Sequence, residues 1–123
     1  MTNLPDFRIS RTGALTAFIY PALFLCVYFL LVVHLRMGLG RWPDHISDNP
    51  RDALFHFHEV ATQLLFLGGV YLVLFSGGLI PIFAAIPRTR RFATWFALFA
   101  AGGVAAFAAM HLAPGSFMMW WWD

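Results

Sequence analysis

Charge is scarce in this chain. Only 11% of its 123 residues are Asp, Glu, Lys or Arg, where soluble domains carry about 25%. Lysine is absent, so all eight Lys/Arg cations are arginine. There is one cysteine, Cys26, which excludes an intramolecular disulfide. It lies inside an apolar run and reads as a small buried hydrophobe. No Walker loop, dinucleotide fingerprint, Cys-x-x-Cys, paired acid or nucleophile–base pair occurs. Gly38-Leu39-Gly40 is too short for a phosphate loop and no strand precedes it. With Arg41-Trp42-Pro43 following, it reads as a turn with an interfacial tryptophan. These absences leave little chain for an enzyme site facing water, and no nucleic-acid partner is expected.

What the chain has instead is apolar length. Hydrophobic residues make up 60% and the mean hydropathy is +0.70. Three stretches, 14–33, 60–87 and 92–112, carry no charge, and about twenty such residues cross a bilayer core as a helix. The expected fold is an all-α integral membrane protein, one three-helix transmembrane domain over 1–123, with helices at about 14–36, 50–80 and 92–112. The first run exceeds a signal-peptide core and no A-x-A-like site follows it, so it reads as a retained span. Pro21 is expected to kink that helix, with Tyr20 and Tyr28 beside the freed carbonyls. Asn49 is the expected N-cap of the second helix, with Pro50 at its first position and Asp52 near the positive dipole end. Gly77-Gly78 and Pro81 mark the expected end of its regular span, and Pro114-Gly115 stop the third helix.

Arginine bias sets the expected orientation. The N-terminal segment and second connection hold Arg8, Arg11, Arg88, Arg90 and Arg91 against Asp6. The first loop and C-terminus hold Arg36, Arg41 and Arg51 against Asp44, Asp48, Asp52, Glu59 and Asp123. Three spans put these groups on opposite faces. The N-terminus is then cytoplasmic and the C-terminus periplasmic, in a multi-pass protein of the bacterial inner membrane.

The third run, FATWFALFAAGGVAAFAAMHL, places Ala93, Ala97, Ala101, Ala105 and Ala109 at every fourth position. Such a ridge of small side chains lets another helix backbone approach. Phe92, Phe96, Phe99 and Phe107 lie largely away from it, toward lipid or a bulky partner. Beyond it, Phe117, Trp120, Trp121 and Trp122 form an aromatic tail. That tail, like Trp42, serves either as an interface anchor or as a docking surface for a partner.

Topology also gathers histidines. His34, His58 and His111 fall at one depth, where together they have the donor chemistry for copper, zinc or a haem iron, with Glu59 as an outer partner. His56 and His58 are about 200° apart on a helix and cannot share one small site. Asp52, His56, Glu59 and Gln63 share a polar stripe that ends about one turn into the membrane, too short for an ion path. The leading expectation is a small non-catalytic accessory subunit without a cofactor. Its partners are the lipid bilayer and a larger integral membrane complex, with an energy-transducing complex, respiratory or photosynthetic, as the natural host. The alternative is a membrane metal- or haem-binding redox protein using the three histidines.

Overall fold

In lipid the backbone must satisfy its own hydrogen bonds, and uncharged runs of this length do so as helices. The computed structural model describes residues 6–123, and those residues contain helices and their connections but no strand. The helices are α1 (Arg11–Thr16), α2 (Ile19–Leu39), α3 (Ala53–Ala85), α4 (Arg90–Met110) and α5 (Gly115–Trp122). Three stretches are long and apolar enough to cross a membrane: Arg11–Leu39, Ala53–Ala85 and Pro87–Met110.

The first span is broken rather than kinked. Ser10 caps α1 by accepting from the Gly13 amide, and the helix stops at Thr16. Pro21 has no N–H to offer the Ala17 carbonyl and its ring crowds that group, so α2 restarts after Phe18. Tyr20 and Tyr28 do not serve the freed carbonyls, as expected from sequence, but reach across the bundle. The Tyr20 hydroxyl donates to the Leu65 carbonyl at 2.6 Å, and that of Tyr28 lies 3.1 Å from Met118 Sδ. Gly40, with φ of 70°, ends α2 in the left-handed conformation that glycine adopts without a Cβ penalty.

Two expected boundaries moved. Asp52, not Asn49, caps α3, accepting from the Leu54 amide at 3.1 Å. The Asn49 side chain is engaged elsewhere, accepting 2.9 Å from Trp120 Nε1. At its other end α3 runs through Gly77, Gly78 and Pro81 to Ala85. The connection then closes its open carbonyls: Thr89 Oγ1 lies 3.1 Å from the Phe83 carbonyl and Arg90 Nε donates to that of Ala84. α4 follows the third run closely, and Pro114 starts the further short helix α5.

α3 and α4 lie side by side with α2 against both. The core sits toward one end, where Phe24, Tyr28, Leu31 and Leu35 of α2 meet Phe55, Met110, Phe117 and Trp120. At that end the first loop is tied down by charge. Asp48 Oδ2 accepts from the amides of Asp44 and His45, at 2.8 and 3.1 Å, and from Arg41 Nη1 at 3.1 Å. The Asp44 amide, the Arg41 side chain and the His45 amide hold the Asp48 carboxyl down at about 2. A depressed carboxylate stabilises the fold above its unfolded value, near 4, and loses that contribution as pH falls toward about 2. Asp48→Asn should therefore speed hydrogen exchange of the Asp44 and His45 amides at neutral pH. The difference from the wild type, after correction for intrinsic rates, should shrink between pH 4 and pH 2.

Candidate functional site: a histidine pair at the loop end of the bundle

His34 lies in the last turns of α2 and His58 in the second turn of α3. The two helices bring their rings to 5.3 Å between centroids, and the Nδ1 atoms to 3.0 Å. Each ring is held from its far side. His58 Nε2 is 3.0 Å from the Val27 carbonyl, which only accepts, so that nitrogen carries the hydrogen. His34 Nε2 is 3.8 Å from Asp52 Oδ2. Phe55, fully buried, meets the His34 ring edge-on at 5.2 Å, and Trp120 packs behind it at 5.9 Å. His34 keeps 26% of its side-chain exposure, so the pair is sheltered without being sealed.

The expected histidine trio is not assembled. His111 is exposed and bonds back to the Phe107 carbonyl of its own helix at 3.0 Å. Among the described residues no three His, Cys, Asp or Glu side chains converge as a metal-holding group. Glu59 is 3.3 Å from the exposed His56 and is not a partner of the pair. The role of Asp52 beside His34 was missed from sequence, where its place at a helix start explained it fully. The signal available was only that both sit at the same end.

The small-residue ridge of α4 is turned the other way from the bundle. Ala97, Ala101 and Ala105 are exposed, Ala109 is half-buried, and only Ala93 at the ridge's start is buried. The inward seam is instead Phe99, Gly102, Ala106 and Met110. Of the expected lipid-facing phenylalanines, Phe92 and Phe107 are exposed. Phe99 is buried and Phe96 stacks on Phe83 at 5.4 Å. The aromatic tail folds home: Phe117 and Trp120 are buried, Trp121 is half-buried and Trp122 remains 49% exposed. Trp42 is partly exposed beneath the Arg36 guanidinium, 5.6 Å from its ring. The Asp52–His56–Gln63 stripe is also exposed.

Between the three long helices lies an apolar cavity of about 290 Å³, walled by Tyr20, Phe24, Phe66, Val73, Phe99 and Met110 among others. Its one hydroxyl, on Tyr20, is already donated to Leu65. Such a wall can accept an acyl chain but has nothing with which to select a polar ligand. Set against protein-family models, curated proteins and solved structures, the chain matches none of them.

Proposed function

We propose that this chain is a small, non-catalytic accessory subunit of the bacterial inner membrane. It packs against and stabilises a larger energy-transducing complex, respiratory or photosynthetic, with its N-terminus on the cytoplasmic side. The observation that supports this reading is where the smallest residues point. Six helix glycines have a reason inside the chain, Gly13 lying against Ile9 and Gly38 against Pro50. Gly68 and Gly69 make room for the Tyr20 ring, Gly102 for Phe18 and Pro21, and Gly103 for Val73. Gly77 and Gly78 have none: a Cβ there would meet no described atom within 4 Å. Each glycine costs a helix roughly 0.5–1 kcal/mol relative to alanine. Two adjacent glycines facing open space, at the depth of the exposed Ala97–Ala101 face, fit a helix from outside that approaches the backbone. Phe83 against Phe96 and Val73 against Gly103 set that depth.

Lipid alone gains little from such a surface, whereas a partner helix gains close packing and its own hydrogen bonds remain internal. Extraction in mild detergent followed by size separation should find the chain in an assembly several times its own 13.9 kDa mass. The double substitution Ala97→Leu and Ala101→Leu should release it from that assembly with membrane insertion intact. A wild-type chain that runs alone, or only with a second copy of itself, would refute the accessory role.

A further inference from the structure

We propose that the Nδ1 atoms of His34 and His58 bind a divalent transition-metal ion of tetragonal preference, with copper(II) the strongest candidate. The frame around the pair sets up this site. Val27 fixes hydrogen on His58 Nε2, so the His58 Nδ1 is a lone pair when the ring is neutral. The Asp52 carboxylate stands 3.8 Å from His34 Nε2, outside hydrogen-bond distance but on the side that favours hydrogen there, and with that hydrogen in place the second Nδ1 is a lone pair as well. In that state two lone pairs face each other across 3.0 Å, and a metal ion held to one side of the line joining them takes the place of the single hydrogen that otherwise links the two rings. The other tautomer of His34 relieves that contact only by turning its Nε2 lone pair toward the Asp52 carboxylate.

A carbonyl on one imidazole and a carboxylate on the other are the outer partners that metal-bound histidines use to fix their tautomer and raise their basicity. The spacing selects the geometry. With metal–nitrogen bonds of about 2.0–2.1 Å, two nitrogens at a right angle stand about 2.9 Å apart, and at a tetrahedral angle about 3.4 Å apart. The observed 3.0 Å matches adjacent corners of a square, the arrangement of copper(II) or nickel(II), and copper(II) heads the divalent affinity order. The partial exposure of His34 leaves room for water at the remaining positions. The site differs from a three-histidine centre because His111 has no part in it. It also stands independently of the accessory role, since no residue of the outward alanine and glycine surface contributes.

The experiment uses the full chain in detergent, stripped of metal and titrated with copper(II) against a glycine competitor. His45, His56 and His111 are exposed and can bind copper adventitiously, so all three are first replaced by glutamine, which leaves the pair untouched. This triple variant should bind one equivalent of copper. Its electron paramagnetic resonance spectrum should be axial, with hyperfine splitting from two imidazole nitrogens. Adding His34→Gln should abolish that signal while the helical circular dichroism stays unchanged. Asp52→Asn should weaken binding about 10- to 100-fold. The triple variant binding less than half an equivalent would overturn the site, and would mean that the pair shares only a proton. Persistence of the two-nitrogen spectrum after His34→Gln would overturn it equally.

Discussion

Phe117→Ala should destabilise the folded chain by roughly 3 kcal/mol and detach α5 from the bundle, among the largest losses any single truncation here should produce. The ring is fully buried. It meets Tyr28 edge-on at 5.4 Å between centroids and packs on Trp120 at 5.5 Å. In a membrane protein part of the transfer term disappears, because lipid is as apolar as the core. The cavity term does not, since a lipid chain cannot enter an enclosed space behind Tyr28 and Trp120. The loss also reaches further than one side chain. Trp120 donates to Asn49 at 2.9 Å, so releasing α5 frees the segment that leads into α3 and the Phe55 wall of the histidine pair. Unfolding in mixed micelles, followed by tryptophan fluorescence, measures the effect. Trp122→Ala is the control: that residue is 49% exposed and touches Phe66 and Phe107 only edge-on, so its removal should cost about 1 kcal/mol, well below the loss at Phe117. Equal losses for the two variants would mean that α5 is not docked as described. Removing residues 117–123 as a block would not separate partner docking from membrane anchoring, because the deletion opens the core. Trp122, the tail ring most exposed to lipid or partner, is the position at which docking can be tested without unfolding.

Signals that act over one or two turns were legible in the sequence. Absence of charge marked the three long helices, and charge at their ends paired the N-terminal segment with the second connection. The structure places these together through the Thr94 hydroxyl on the Phe7 carbonyl and the Arg90 guanidinium over the Phe7 ring. The first loop was legible only in part: the expected Gly38-Leu39-Gly40 turn begins at Gly40, because α2 runs past its expected end near 36 through Gly38 to Leu39 and stops where φ turns positive. What depended on a distant partner was not legible. Asn49 has every local qualification for an N-cap, yet Trp120, 71 residues later, takes its side-chain oxygen and the cap passes to Asp52. The alanine ridge is a regular four-residue repeat, but a repeat shows only that a face exists. Which face turns inward is decided by Phe18, Pro21 and Val73, the residues that press on Gly102 and Gly103. For the histidines, the shared end of the bundle followed from the topology while direction round the helix did not. Nor was the level along the bundle legible: His34 and His58 meet, whereas the Val73–Gly103 and Phe83–Phe96 contacts put His111 nearer the level of Phe66 than of His58, and it bonds to its own helix.

Gly103→Leu should separate α4 from α3 and prevent the bundle from closing, an overpacking cost at or above the usual range of about 1–3 kcal/mol. Even a lone Cβ at this position would run into Val73 Cγ2. Val73 does not simply turn aside, because valine in a helix keeps essentially one rotamer. The contact lies about two turns inside the end of α4, so the strain is not relieved by fraying the last turn. Gly103→Ala should show the same defect in smaller measure, and Val73→Ala should largely rescue it, because it removes both γ-methyls, including the Cγ2 that the new Cβ meets. Gly78→Leu provides the opposite case. It adds as much side chain to a neighbouring helix, but its Cβ meets no described atom within 4 Å and the position is exposed, so the isolated chain should fold with nearly unchanged stability. Its effect should appear only in association with the larger assembly. The pair of leucine variants thus separates the two uses of glycine in this chain. Loss of folding at Gly103 with loss of assembly at Gly78 is the expected pattern. If Gly78→Leu unfolds the isolated chain as Gly103→Leu does, the open face of α3 serves the fold itself, and the case for a partner helix there fails.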